Sequence, residues 1–197
     1  MQKPGKLQLQ SEHTRQQLLQ AARELFFTRG YADVSINEIC EKAGVTKGAF
    51  YHHFSGKDQV YRSLFTAHLD LYLESHYQLP PQAGAAERFL LLAQCTFHLA
   101  QELGREMITQ DLVQLLTGRT SNLYHEERIH TRLLDEAISA GMASHTLRGG
   151  LDRNHTIMLY ACLMNGFLLK WVSASPEDDA RIDWDALLQA EMALLTL

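Results

Sequence analysis

The sequence predicts an all-α protein of about nine helices, a small three-helix head followed by a larger helical body. Apolar residues recur at three- and four-residue spacing almost from end to end, and no strand-like alternation persists anywhere. Glycines and prolines punctuate that pattern at intervals that suit helices of ordinary length.

The first helix is expected at about 11–29, where Leu18, Ala22, Leu25 and Phe26 form one apolar stripe. Gly30 follows as a residue able to take positive φ, with Tyr31 placed for the contact that closes such a cap. Ser35-Ile-Asn-Glu38 reads as a capping box opening a short helix to about Ala43, which Gly44 breaks. Thr46 is the expected N-cap of another short helix, 47–53, containing Phe50 and Tyr51. Ser55-Gly-Lys-Asp58 resembles a second capping box, starting a long helix to His76, about 30 Å at ~1.5 Å per residue. Pro80-Pro81 and Gly84 end this part of the chain. Further helices are expected at about 85–103, 106–116, 121–140, 152–173 and 183–195, with breaks at Gly104, Gly118, Gly149-Gly150 and Pro176. The expected division is 1–56 for the head, with the connecting helix starting at 57–77, and 57–197 for the body.

The 197 residues are 46% apolar and 21% charged, ordinary for a globular chain and wrong for a disordered one. The first ten residues lack the apolar core of a signal peptide, so a cytoplasmic location is expected. The stretch 157–172 is interrupted by Asn165 and Lys170 and reads as too short and too polar to cross a membrane. Three scattered cysteines support neither a disulfide framework nor a clustered zinc site, and no two of the ten histidines stand three or four apart. No cofactor or metal is expected. No GxSxG, HExxH or phosphate-cradling glycine loop is present, so no enzymatic role is expected. Charge is asymmetric: from Met1 to Arg62 nine Lys/Arg stand against six Asp/Glu, whereas the chain as a whole carries −5. A basic head on an acidic body suits a protein whose head approaches a polyanion.

The segment 35–57, SINEICEKAGVTKGAFYHHFSGK, joins two short helices through a glycine turn. Ile36, Ile39, Ala43, Val45 and Phe50 are spaced to share a small core, which makes the segment a helix-turn-helix. In such a unit the second helix enters the DNA major groove and presents its N-terminal residues to base edges. Thr46, Lys47, Gly48, Tyr51 and His52 lie on the outer side of that helix, whereas Phe50 and Phe54 face inward. Lys47 suits guanine or phosphate, Thr46 a thymine methyl or phosphate, and Tyr51 and His52 phosphate oxygens. Gly48 permits close backbone approach. Ser35 belongs with the expected DNA contacts, and Lys57 is expected to anchor phosphate beside the free N–H groups of the next helix.

The stretch from Thr14 to Phe65 resembles the DNA-binding domain of the TetR (tetracycline repressor-like) family. The resemblance runs through Phe26, Gly30-Tyr31, Ser35, Ile39, Ala43-Gly44-Val45, Gly48, Tyr51, His53-Phe54 and Lys57, about a quarter of the chain. His52 stands where a tyrosine is often seen, and Gly56 where serine is frequent. The resemblance implies a sequence-specific transcriptional regulator: a homodimeric repressor released from double-stranded, palindromic operator DNA by a small-molecule effector. An activator, or a regulator of the same fold that no ligand gates, remains the alternative; a helical adaptor without DNA binding would leave Lys47, Tyr51 and Lys57 unexplained.

The resemblance further implies that the body binds ligand and dimerises. The 152–173 helix is apolar almost all round, so a second buried face against a partner subunit is expected, with 183–195 as its companion. Leu163, Phe167, Leu188 and Met192 are the expected dimer contacts. Apolar walls with a few polar groups suit a ligand cleft, and Phe97, His98, Met107, Gln114 and Tyr124 are candidates. His130, Leu134, Met158, Cys162, Asn165 and Trp171 complete that set. The long helix that begins at Lys57 is the expected lever between ligand and DNA.

Overall fold

The computed structural model describes residues 6–117 and 128–197. Among them are ten α-helices and no strand, only an isolated antiparallel bridge between Leu147 and Thr196. The helices are α1 (Lys6–Arg29), α2 (Ile36–Ala43), α3 (Lys47–His53), α4 (Lys57–His76), α5 (Ala85–Leu103), α6 (Arg105–Leu116), α7 (Ile129–Ala143), α8 (Arg153–Ser173), α9 (Pro176–Asp179) and α10 (Trp184–Met192). A 3₁₀ turn follows α10 at Ala193–Leu195.

Most boundaries follow the caps expected from the sequence. Ser35, Thr46, Asp152 and Asp183 are N-caps whose side chains accept backbone N–H groups. Gly30 and Gly44 both adopt positive φ, at 82° and 67°. At Gly44 this left-handed residue returns its N–H to the Cys40 and Glu41 carbonyls and turns the chain into α3. Three boundaries differ from expectation. α1 begins at Lys6, earlier than the periodic stripe suggests. The four-residue α9 is an addition; Ser175 caps it and Pro176 occupies its first turn. Of the helix expected at 121–140, the described part runs Ile129–Ala143, and residues 121–127 lie outside the description.

The second capping box also takes another form. The Ser55 N–H donates to Oε1 of Gln59 at 2.6 Å, while the Asp58 carboxylate accepts the Tyr31 hydroxyl. Asp58 therefore ties α4 to the α1–α2 turn, and the residue one position later reaches back to Ser55.

The chain divides within α4, between Ala67 and His68, into two compact units. The first turns of α4 belong with the head because Val60 and Tyr61 are fully buried, Tyr61 edge-on to Tyr31 at 5.1 Å. In the head, α1 packs on α2 and α3, burying Leu18, Ala22, Phe26, Ile39, Phe50 and Phe54. Ile36, Ala43 and Val45, expected in the same core, are half-buried at its margin.

In the second unit α5 is central, packed on α6, α7 and α10, while α6, α7 and α10 also meet α8. Close approach of α5 and α7 requires Gly141: an added Cβ would stand 2.5 Å from Leu147 Cδ2 and 3.1 Å from Ala85 Cβ. An aromatic cluster fills the interior. Phe97 meets Phe167 edge-on at 4.9 Å and Trp171 at 5.5 Å, and Phe167 meets Trp184 at 5.8 Å.

Candidate nucleic-acid interface

The outer face of α3 is presented by a stiff support. Phe50 and Phe54 point inward with centroids 5.8 Å apart, and the Arg15 guanidinium lies over the Phe54 ring at 5.5 Å. That orientation leaves Lys47, Gly48, Tyr51 and His52 exposed, Tyr51 with 57% of its surface open. Tyr51 touches the head core only edge-on at Phe50, 5.4 Å between centroids, and leaves most of its ring and its hydroxyl open to a partner. Lys47 makes no hydrogen bond or ion pair among the described residues, and its ammonium is available to a base edge or phosphate. Thr46 accepts the Ala49 N–H at 3.2 Å and keeps its hydroxyl proton for another acceptor. At Gly48 an added Cβ would come no nearer than 3.7 Å to a protein atom, Thr46 Oγ1. Nothing inside the protein demands glycine there.

Other basic residues of the head serve the fold. Arg29 donates to the Glu38 carboxylate and to the Asp33 carbonyl, both at 2.6 Å. Lys42 pairs with Glu24 at 2.9 Å, joining α2 to α1. Glu38 closes the Ser35 capping box, and the Ser35 hydroxyl together with Arg29 holds its carboxyl down at about 2.

Two of the expected DNA contacts, Lys57 and Ser35, have partners inside the head. The Lys57 ammonium donates to the carbonyls of Tyr31 and Val34 at 2.7 Å each and reaches that of Ala32 at 3.4 Å. It also stands 4.2 Å above the Tyr31 ring, and desolvation lowers its pKa. All three protons have carbonyl acceptors in the head, so Lys57 ties α4 to the α1–α2 turn. Ser35 likewise spends its hydroxyl on Glu38, donating to Oε2 at 2.6 Å and accepting the Glu38 N–H at 3.3 Å. The sequence carries a signal for Ser35 in the capping box itself; for Lys57 it carries none, because backbone acceptors have no residue signature.

In the body the candidates scatter. Phe97, Leu134 and Trp171 belong to the packed interior, with Arg105 over the Trp171 ring at 5.0 Å. His98 is exposed and faces Asp185 at 3.5 Å as a surface pair. Met158 and Cys162 are also exposed, on the outer side of α8. Met107 and Asn165 are half-buried, and Tyr124 lies outside the described residues. Gln114 and His130 are buried. Neither amide atom of Gln114 has a hydrogen-bond partner among the described residues. Burial, then the nearby Arg128, drives the His130 imidazole down to about 4, which keeps it neutral.

Of the expected dimer contacts, the protomer itself encloses three. Phe167, Leu188 and Met192 are buried in the protomer's own core, and Leu163 lies at its edge. The other side of α8 carries Met158, Cys162, Asn165 and Leu169, a stripe at i, i+4, i+7 and i+11 that the same periodicity argument could have found. Met158 and Leu169 are 66% and 51% exposed. The 157–172 stretch reads as too short and too polar to span a membrane, but the whole of α8, 21 residues, is by length and composition apolar enough to cross one. Its inner side, with Tyr160, Met164 and Phe167, is packed against protein.

Burial accounts for the cysteines. Cys40 and Cys95 lie inside, and desolvation pushes the Cys95 thiol up to about 11. No group of three metal-ligating side chains occurs among the described residues.

Residues 18–64 match the family described as "Bacterial regulatory proteins, tetR family". The chain is 25% identical to the HTH-type transcriptional regulator TtgR of Pseudomonas putida, an alignment covering 95% of this chain and 94% of that one. It is 44% identical over 77 residues to the transposon Tn10 TetC protein of Escherichia coli, covering 38% and 39% of the two chains. Among solved structures, Thermus thermophilus FadR, a TetR-family transcriptional repressor in complex with lauroyl-CoA, superposes with a TM-score of 0.66 at 20% identity, covering 91% of this chain and 92% of that one. These relatives are regulators and not enzymes. Residues 18–64 are a DNA-binding domain of the TetR family of bacterial regulatory proteins, and the chain that carries it is a DNA-binding transcriptional regulator.

Proposed function

We propose that this protein is a homodimeric repressor that reads a palindromic operator through Thr46, Lys47, Gly48, Tyr51 and His52, and that a small molecule bound in the body releases it. The observation that carries the DNA reading is the exposed Tyr51–Lys47 face of α3 on a buried phenylalanine support. Two-fold protein symmetry calls for two-fold operator symmetry, with half-sites about 34–36 Å apart along the duplex. Dimerisation through the outer face of α8 would bury Met158, Cys162 and Leu169, which the protomer leaves open. The same contact accounts for an apolar helix without a membrane. The protein acts where the DNA is, in the cytoplasm.

A ligand in the body is supported by the unpartnered Gln114 amide and by FadR of Thermus thermophilus, a protein of the same fold in complex with an acyl-CoA. Coupling is reciprocal: a ligand that lowers DNA affinity binds the DNA-bound dimer less tightly by the same factor, about 5- to 150-fold. α4 is continuous between the two units and is the route for that coupling. A gel shift with the DNA upstream of the protein's own gene tests the reading. A shifted band competed by the same duplex and not by scrambled DNA supports it; no shift at micromolar protein and low salt overturns it.

A further inference from the structure

We propose that the body's effector is an uncharged, largely apolar molecule bearing a hydrogen-bond donor and acceptor side by side, and that the Gln114 amide reads that pair. The proposal rests on the reading of the body as a ligand domain and adds the chemical class of its ligand.

Gln114, on α6, has 4% of its surface exposed, and neither Oε1 nor Nε2 finds a partner among the described residues. Buried polar side chains are satisfied in the great majority of cases, and leaving both ends of one amide open is costly. The missing partner therefore comes from outside the described protein. An amide edge presents one acceptor and one donor together, so its complement presents one donor and one acceptor together. Carboxamides, lactams and undissociated carboxylic acids have that edge. A carboxylate lacks the donor and would leave Oε1 facing another acceptor.

Charge selects in the same direction. Among the described residues no Asp, Glu, Lys or Arg is buried as a whole, and the buried guanidinium nitrogens of Arg105 and Arg128 already face Asp179 and Asp70, so neither is an unpaired counter-ion for a charged ligand. The one buried imidazole, His130, is neutral at physiological pH. The surroundings are apolar: Met107 shares the Gln114 face of α6 two turns earlier, and α6 packs on α5 and α8, which bury Phe97, Tyr160 and Phe167. A methionine adapts to ligands of varied outline, so recognition falls on the amide.

The test compares matched probes on the full-length protein: 4-butylbenzamide, heptanamide and caprolactam, with methyl 4-butylbenzoate, methyl heptanoate and cyclohexanone as partners lacking the donor. Thermal shift and calorimetry should show at least one amide binding roughly ten- to hundred-fold more tightly than its partner, since the probe without a donor leaves Oε1 unpaired. Gln114→Leu should abolish that preference while retaining the donor-free probe; Gln114→Met serves the same purpose if the leucine variant fails to fold. Binding by none of the amides overturns the proposal. So does a preference that survives in either variant. A buried water satisfying Gln114 would leave both variants folded and no probe preferring the amide, which also overturns it. Gel shifts separate this proposal from the reading it rests on. Amides that bind through Gln114 without releasing DNA uphold the ligand class and end the gating role. Release by ligands indifferent to Gln114→Leu does the reverse.

Discussion

The Lys57 ammonium donates to the Val34 carbonyl across 2.7 Å, joining the first turn of α4 to the loop that ends one residue before the α2 capping box. Tyr31, beneath the same ammonium, gives its hydroxyl to Asp58. The angle at which α2 and α3 are carried thus depends on a lysine that points into the head.

This arrangement predicts an unusual salt signature for Lys57→Met. A residue that neutralises phosphate lowers the slope of log affinity against log salt by about 0.9 per contact when removed. Removing an internal tie should leave the slope unchanged and weaken binding by one factor at every salt concentration. Loss of hydrogen bonds from a charged donor should also lower stability by about 1–3 kcal/mol. Gel shifts across a salt series, paired with denaturant melts, decide the matter. A shallower slope with an unchanged melt would restore Lys57 to the phosphate backbone.

The α3 face yields the opposite pattern. Lys47→Ala and Tyr51→Ala remove exposed side chains, so melting should hardly change while operator affinity falls about 5- to 150-fold per half-site, or about 1–3 kcal/mol per contact. Gly48→Ala is the more informative variant. Its new methyl group meets only Thr46 Oγ1, at 3.7 Å, so the folded protein should be at least as stable. Any loss of DNA affinity then reports a duplex pressed against the helix backbone. Wild-type affinity in all three variants at matched salt would remove α3 as the reading element.

Most of the head is legible in the sequence because its determinants are local. Ser35 with Glu38, Thr46 before Lys47, and a glycine at each left-handed turn act within four residues of one another. The role of Lys57 is not legible, because its acceptors are carbonyls more than twenty residues earlier, invisible to any residue pattern. In the body the periodicity locates α5 and α8 well but cannot say which side of α8 faces inward. Phe167 is a large apolar residue of α8 and so a natural candidate for the dimer seam; the same bulk fills the space between Phe97 and Trp184.

The burial of Phe167 separates two kinds of α8 variant. Leu169→Lys and Cys162→Lys change exposed positions and should give folded monomers, read as halved mass in sedimentation with an unchanged helical spectrum. Phe167→Ala should instead cost about 3–5 kcal/mol through the cavity left in the aromatic cluster, with subunit mass unchanged while the protein stays folded. Dimers that persist in both lysine variants would place the subunit contact elsewhere.

His130 makes the fold sensitive to mild acid. Its imidazole is buried and held to about 4 in the folded protein, against an ordinary 6.5 when the chain is unfolded. Between those values the unfolded chain takes up a proton that the native state refuses, so stability is complete above about pH 6.5 and declines as the pH falls toward 4. One proton over that window amounts to roughly 3 kcal/mol at most. The Asp70 carboxylate, which accepts the His130 backbone N–H and pairs with Arg128 at 3.0 Å, is itself raised by burial; the folded protein takes up that proton before the unfolded chain does, which offsets part of the loss as the pH falls. Replacing the imidazole by a group that cannot titrate, as in His130→Gln or His130→Phe, should flatten the dependence of denaturant midpoint on pH across that window. The flattening is expected whatever the variant does to stability at neutral pH. Equal slopes for variant and wild type would show that the imidazole charges in place, and that the interior around α7 admits water.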